Sequence, residues 1–536
     1  MRLPAALVPL RHVTFRVLWG ANVITSLGLW LQNTGAGWLM TTLSPDPLTV
    51  SLVQAATILP MFLLALPAGA IADIVDRRLF LIVAQTWTML AAALLAVLTL
   101  LGLVTAGSLL GLTFAIGVGA AMTAPGWGAL VPELVPRQDL VQAISLNGIG
   151  FNLARAIGPA LAGLLVVVGG SGLTFSLYAA SILAVIGALV WWRRSSDVTA
   201  FPPEHFLSAM RTGMRFVRNT PAMRAAMVRS FSFSICGAAP WAMLPLVVRD
   251  QLGLGAGMYG LILGCMGVGG VGSGLLLPNM RRLLSRGGVV VAASLCSFAG
   301  IAVLALSTHL VVACFGMMLF GVGWVAVFST VQAAAQMVSP SWVRARALAI
   351  YQLSFNGALT LGSFGWGWLA LHLGLSHALL AAAAIGATLT LLVRNYSIDP
   401  TIIVAQPEFA TPQPVPEAPA DELATTLRAT HRHILETMHY RVDVEHRRGF
   451  LAAMNEVRQI RGRAGALQWA LYEDIAHPEG WMETWLMDNW TDHLREATRL
   501  SEADLSVLTR AGVFQRDGET PLPARFLSID PQLGPA

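Results

Sequence analysis

The chain has 536 residues, of which 55% are hydrophobic and only 12% charged. Soluble globular proteins carry about 25% charged residues, so this composition excludes an ordinary soluble enzyme. The net charge of +5 hides two unlike parts: residues 1–398 hold 21 Arg against 8 acids, whereas residues 399–536 hold 13 Arg against 21 acids. The positive excess lies in an apolar stretch and does not read as nucleic-acid binding. Every basic residue is Arg, which removes P-loop and Schiff-base lysine chemistry. Cys236, Cys265, Cys296 and Cys314 sit in apolar runs without CxxC spacing, so they read as small buried hydrophobes rather than zinc ligands or disulfides. The first apolar run lacks the form of a cleaved signal peptide and reads as retained.

A bilayer core about 30 Å thick needs ~20 apolar residues per helix. Twelve such runs follow in order: 14–40, 50–72, 79–102, 108–131, 141–168, 173–192, 223–248, 257–279, 289–307, 309–333, 347–371 and 375–393. Arg77, Arg78, Arg137, Arg281, Arg282, Arg286, Arg344 and Arg346 all fall in alternate loops, with Arg2, Arg11 and Arg394 on the same side. The positive-inside rule places those loops and both termini in the cytoplasm of a plasma (inner) membrane protein. Between the sixth and seventh runs, residues 194–222 form the longest break. There Phe206, Met210, Met214 and Val217 recur at helical spacing, with Arg211, Arg215 and Arg218 on another face, the pattern of an amphipathic helix at the membrane surface. The loop divides residues 1–193 from residues 223–398, six helices each.

The two halves repeat. Ile116-Gly117-Val118-Gly119, Val135-Pro136, Phe151-Asn152, Gly158 and Gly163 recur 204 residues later as Phe320-Gly321-Val322-Gly323, Ser339-Pro340, Phe355-Asn356, Gly362 and Gly367. Gly69 and Arg77 recur as Gly274 and Arg282. Parallel six-helix repeats with a site at their interface are a transporter architecture. In the first copy, Gly69, Asp73, Asp76, Arg77 and Arg78 sit in the link between the second and third runs. Gly69 permits close helix approach, Asp73 can face a helix N-terminus, and Arg77 can bridge to an acid such as Glu133. Such a clasp would bias one gating state; the alternative is that the two arginines only set topology.

Twelve helices in two repeats with this loop motif resemble the major facilitator superfamily over residues ~10–395. The second copy is degenerate, with Pro278 where the first has Asp73 and Arg281 where it has Asp76. The run Pro132-Glu133, Pro136, Asp139-Leu140, Asn147, Asn152, Arg155 and Gly158-Pro159 is similar to the enterobactin-exporter-like branch, which implies efflux of siderophores and other hydrophobic compounds. Gly158-Pro159 also resembles the bend motif of proton antiporters, and with Gly163 forms a candidate hinge; Ala154 departs from the fuller motif.

Arg155, mid-run, is the most informative single residue. An Arg at membrane depth costs ~2.5–3.5 kcal/mol on insertion scales and must face protein or water. It would bind an anionic or carbonyl group of substrate or anchor a gate, or else hydrogen-bond helix carbonyls. Gln32, Asn33, Asn147, Asn152, Gln332 and Asn356 are further cavity candidates, as against polar glue between helices. No Asp or Glu stands mid-run, so a proton carrier would have to be a rim acid such as Asp46, Asp73 or Glu133.

Residues 399–421 are a Pro-rich linker. Beyond it, residues 422–530 read as a small α+β domain: a strand at 438–445, a helix at 447–463, strands at 467–475 and 481–490, helices at 491–499 and 502–511, and a strand at 526–529. That order is ferredoxin-like and resembles dimeric α/β barrels of the antibiotic-biosynthesis monooxygenase type. No catalytic set can be carried over. Trp469, Trp485 and Trp490 read as core and dimer-face aromatics, and one sheet face carrying Trp and Met invites pairing with a second copy. His431, His433, His439 and His446 do not have the spacing of a metal site. The sequence thus reads as an all-α polytopic membrane protein with a cytoplasmic ferredoxin-like domain. It would act as a secondary transporter exporting hydrophobic or amphipathic small molecules of drug or siderophore type by alternating access. No cofactor, metal or nucleic acid is called for. A membrane-anchored enzyme with a catalytic tail, or a lipid flippase, are the competing readings.

Overall fold

The computed structural model describes residues 5–192, 206–340, 343–398, 432–500, 502–516 and 521–529. The Pro-rich linker and residues 194–205 lie outside these. The chain divides into two compact units: residues 1–203, 225–333 and 351–398 form one, and residues 204–224, 334–350 and 399–536 the other.

The first unit is helical: α1 (Val13–Leu43), α2 (Pro47–Ile74), α3 (Arg77–Leu100), α4 (Ala106–Leu134), α5 (Leu140–Trp191), α7 (Pro221–Leu246), α8 (Ala256–Leu283), α9 (Arg286–Ala305), α10 (Leu310–Val338), α11 (Arg344–Leu373) and α12 (Leu375–Leu392). The short α6 (Phe206–Asn219) precedes α7. Polar caps start these helices where the apolar runs begin. Asp46 accepts from the Leu48 and Thr49 amides with Pro47 at the first helical position, and Asp76 accepts from the Leu79 amide. Thr105 and Ser108 form a capping box on α4. α5 is two limbs, broken at Gly170, whose φ of 72° and ψ of 177° only glycine adopts readily.

Among the described residues, nine helices are long and apolar enough to cross a membrane, the bent α5 counting once. α1 and α11 are not among the nine although they have 31 and 30 residues. They carry Asn22, Gln32 and Asn33, and Arg344, Arg346, Gln352 and Asn356, which lower their hydropathy below that of the other runs.

Glycines set the helix contacts. A Cβ at Gly158 of α5 would strike Trp30 of α1, and one at Gly362 of α11 would strike Ile235 and Ala238 of α7. Gly163 lies against Ala256 and Gly260 of α8, and Gly367 against Ser51 and Pro47 of α2. Gly117 of α4 abuts Thr57 and Pro60 of α2, and Gly321 of α10 abuts Met266 of α8. Gly119 meets α3 at Thr88, and Gly323 meets α9 at Ala293 and Ser297.

The tail forms β1 (Ile434–Arg441), α13 (Arg447–Ala464), β2 (Gln468–Glu473), β3 (Gly480–Met487), α14 (Trp490–Arg499), α15 (Glu502–Val513) and β4 (Leu522–Leu527). The strands make one antiparallel sheet ordered β2-β3-β1-β4. β1 starts four residues earlier than the sequence suggests, because Ile434 and Glu436 extend the inward alternation of Met438 and Tyr440; residues 444–446 instead turn into a short 3-10 helix. Phe450, Met454, Val457 and Ile460 of α13 and Val507, Leu508 and Ala511 of α15 pack on that inward face. Trp481, Trp485 and Met487 lie there too, with Trp469 and Trp490 partly buried against the same core. The tryptophans are thus core residues, as the sequence suggests, and do not form the row expected on the uncovered face. By register, that face carries Leu435, Thr437, Met482, Leu486, Tyr472, Leu522 and Phe526 instead.

Candidate functional site

At the Arg-rich ends of the helices, Arg77 Nη1 donates to Glu133 Oε1 at 2.7 Å, joining the start of α3 to the end of α4. Arg78 turns the other way: its Nε and Nη2 donate to the carbonyls of Leu189 and Val190, each at 2.7 Å. There it places positive charge on the C-terminal end of α5, where the helix dipole favours it. Asp76 is engaged as the α3 cap. Gly69 and Asp73 fall in the last turns of α2, and the Asp73 side chain is outside the described set. His12 Nε2 and Asp139 Oδ2, 3.0 Å apart, add a second pair at this end that the sequence did not single out.

α5 and α8 cross tightly. Beyond the Gly163–Gly260 contact, a Cβ at Gly267 would lie 2.8 Å from the Ala156 Cα. Toward the Arg-rich end, Gly148 of α5 and Gly274 of α8 have no atom of the described residues within 4 Å of a Cβ position. Ile149, Val271 and Leu275, on the same stripes, are exposed. Pro159 sits within continuous helix, the one non-helical residue of α5 is Gly170, and Gly158 and Gly163 are close packing contacts.

Arg155 lies one residue before the Ala156–Gly267 contact. Its Nη2 is buried without a hydrogen-bond partner among the described residues, 3.9 Å from a Cβ placed on Gly270 of α8. One turn along α5, Gly158 seats Trp30, whose ring centroid is 6.2 Å from that of Trp241 on α7. Trp241 in turn is 5.7 Å from Trp324 on α10, which is 6.2 Å from Phe355 on α11; Phe328 completes the cluster at 5.2 Å from Phe355. The indole N–H groups of Trp30 and Trp241 are buried and unpartnered among the described residues. Unsatisfied buried donors are expensive, so this set can offer hydrogen bonds and flat apolar surface to a ligand rich in acceptors. This cluster is not legible in the sequence, because its rings come from separate helices. The only available signal was indole rings at mid-helix, far from the interfacial positions that tryptophan prefers.

The other cavity candidates scatter. Gln32 is 1% exposed with both amide atoms unpartnered among the described residues, but it shares a stripe with Gly28 and Gly35, which face Tyr178 and Thr174 on the second limb of α5. Asn147 Oδ1 is buried and unpartnered among the described residues. Asn152 is exposed and donates to its own helix at Gly148 O. Asn33, Gln332 and Asn356 are half-buried.

The tail holds a buried polar network. Arg461 donates to Glu483 (3.2 Å) and Glu496 (2.9 Å) and stacks 3.7 Å over Trp485. Tyr440 and Trp469 also donate to Glu483, and Trp485 donates to Glu496. His493 Nδ1 lies 2.5 Å from Glu436. Burial raises the Glu496 carboxyl above its usual range, Glu436 adds to this and Arg461 opposes it. Glu436, His493 and Glu496 each offer a ligand atom within 4.8 Å of the others. However, both Glu496 oxygens already accept from Arg461 and Trp485, so the set fits a satisfied ion network better than a cation site.

Long apolar helices around an aromatic and cationic centre define a polytopic membrane transporter. The sequence profile of the transmembrane secretion effector family matches residues 4–532, and the chain belongs to that family of major facilitator transporters. A staphyloferrin A transporter of Staphylococcus aureus is 25% identical over 303 residues, covering 56% of this chain and 75% of that protein. An enterobactin exporter of Escherichia coli O81 is 23% identical over 330 residues, covering 60% and 76%. In fold, the chain is similar to a bacterial homologue of the human lysosomal transporter Spinster in an inward-facing, unoccupied conformation (TM-score 0.58, 12% identity, 74% and 98% covered). It is also similar to a D-xylose–proton symporter (TM-score 0.58, 13% identity, 72% and 98% covered). These relatives are transporters rather than enzymes, which leaves the reading of a membrane-anchored enzyme without support.

Proposed function

We propose that the protein is a secondary exporter of amphipathic, acceptor-rich small molecules of the siderophore type, working by alternating access across the plasma membrane. The observation that carries this reading is Arg155, whose Nη2 is buried and without a hydrogen-bond partner among the described residues, one helical turn from the Trp30–Trp241–Trp324 cluster. A guanidinium and free indole donors, with no carboxylate at mid-helix, favour an anionic or carbonyl-bearing ligand with flat apolar parts. The relatives named for staphyloferrin A and enterobactin support the same class.

Twelve spans in two repeats belong to this reading, with residues 1–193 and 223–398 as the halves and both termini cytoplasmic. The paired glycine contacts support the duplication: Gly158, Gly163, Gly117 and Gly119 each meet the helix that corresponds, one repeat on, to the partner of Gly362, Gly367, Gly321 and Gly323. The Arg77–Glu133 pair would serve as a gating clasp with Asp73. Residues 422–530 would be a ferredoxin-like, non-catalytic cytoplasmic domain that pairs with a second copy through its uncovered sheet face. Tyr472, Leu522 and Phe526 are exposed there and would gain from burial.

The test compares a deletion strain with its parent for secreted iron chelators and for sensitivity to toxic amphiphiles. Loss of chelator secretion supports the siderophore class, and hypersensitivity alone redirects the assignment to drug-like substrates. No difference in either removes the export reading.

A further inference from the structure

Each proposed half ends on helix carbonyls held by a guanidinium, and the two guanidiniums come from different helices. In the first half, Arg78 of α3 donates to the carbonyls of Leu189 and Val190 at the end of α5. The repeat offset of 204 residues carries Val190 onto Arg394, in the 3-10 turn Val393–Asn395 that continues α12. The Arg394 carbonyl accepts at 2.6 Å from Nη2 of Arg229, which stands on α7. Arg229 Nη1 donates at 3.1 Å to the carbonyl of Gly287, in the first turn of α9. The last carbonyls of a helix have no partner within it, and the dipole favours a cation there. A planar fork of donors can serve two carbonyls at once.

The starts of α3 and α9 show why the donor changes helix. Asp76 caps α3 by accepting from the Leu79 amide, and Ser285 caps α9 in the same way from the Gly288 amide. Counted from these caps, Arg78 and Gly287 are each the second residue of their helix. The second half thus has no side chain where the first half has its guanidinium. Arg229 takes up that space: a Cβ at Gly287 would lie 3.4 Å from its Nη2 and 3.5 Å from its Nη1. Arg229 is 4% exposed and Arg78 is half-buried, so water competes less for the tie in the second half. We infer that Arg229 is the second half's counterpart of Arg78, a positioning residue that fixes the ends of α7, α9 and α12 to one another. α7 carries Trp241 about three turns beyond Arg229, so this tie sets how that ring is presented to the aromatic cluster. The equivalence rests on the repeat reading, and its effect on efflux rests on the export reading. A guanidinium at the Arg394 carbonyl is what counts, whichever helix supplies it.

Moving the guanidinium to α9 provides the test, in the full-length protein. Arg229→Ala should lower membrane abundance, read by immunoblot, and the thermal midpoint of the detergent-solubilised protein. Gly287→Arg alone crowds two guanidiniums into one space and should do the same. Combined, the two substitutions should recover most of both losses, because groups in contact couple rather than add. Arg229→Ala with Gly287→Gln fills the space without a guanidinium and should stay impaired. At matched protein levels, secretion of iron chelators and resistance to toxic amphiphiles should follow the same order. Additive losses in the Arg229→Ala/Gly287→Arg protein, equal recovery with Gln, or no effect of Arg229→Ala would overturn the equivalence. Recovery of abundance and midpoint without recovery of export would overturn the positioning role. A wild-type protein that exports neither class of compound would count against the export reading alone, and abundance and midpoint would still decide the equivalence.

Discussion

Arg155 could be recognised in the sequence because a guanidinium inside an apolar run is costly wherever it points. Its surroundings could not, because Trp30, Trp241, Trp324 and Phe355 come from four separate helices and meet only in the fold. If Arg155 engages substrate, Arg155→Ala lowers efflux at least about tenfold, equivalent to ~1.4 kcal/mol. Arg155→Lys then fails to restore it fully, because a point charge cannot reproduce a planar fork of donors. Full efflux with Ala would assign the residue to helix packing. Arg77 and Glu133 make a second residue-level case. Their pair is partly solvent-exposed and contributes little to stability, so Arg77→Ala should reduce transport while membrane levels of the protein stay near normal. Asp73→Asn is expected to behave alike. A parallel fall in protein abundance, read by immunoblot, would show that these residues set insertion rather than gating.

At the scale of elements, α5 shows how a motif can be visible and its use hidden. Gly158-Pro159 and Gly163 look like a hinge in sequence, and in the fold Gly158 and Gly163 also provide the surfaces on which Trp30 and Gly260 sit. A side chain at 163 would meet the Ala256 carbonyl at 2.8 Å and the Gly260 Cα at 2.9 Å, backbone that cannot move aside cheaply. Gly163→Val should therefore wedge α5 from α8 and abolish transport, and an otherwise equivalent Gly187→Val, where no atom lies within 4 Å, should not. Equal activity in both variants, measured at matched protein levels, would exclude the tight crossing. In the tail, α13 was legible from its apolar spacing. The uncovered sheet face was misassigned because strands show only that alternate residues share a face, and helices packed on one side choose which face is core. Trp481 and Trp485 went inward, where Trp485 finds a carboxylate for its indole N–H.

For the whole molecule, the Arg distribution predicts which loops stay inside the cell. Single cysteines near Asp46 and Leu254 should react with an impermeant reagent added to intact cells, and cysteines near Arg78 or Arg344 should not. Reaction from outside at Arg344 would reverse the orientation and, with it, the place of the tail. Composition and run lengths sufficed for the membrane class, since burying so many apolar residues leaves few alternatives to lipid. Among the described residues α1 and α11 fall outside the nine most apolar helices, because their amides dilute the hydropathy, yet both keep the length of a span.

The sequence by itself determined the membrane class, the start of most helices, the position of the odd arginine and the presence of a small α+β tail. These are written in local quantities: hydropathy along a run, a capping side chain, a charge out of place, a period of two or of 3.6. The tertiary structure alone decided that Trp30, Trp241 and Trp324 converge near Arg155, that α5 and α8 cross closely at Gly163 and Gly260, and that α6 is held by the end of α13. Each of those depends on which faces of distant segments meet, and packing between segments leaves no periodic trace in either one.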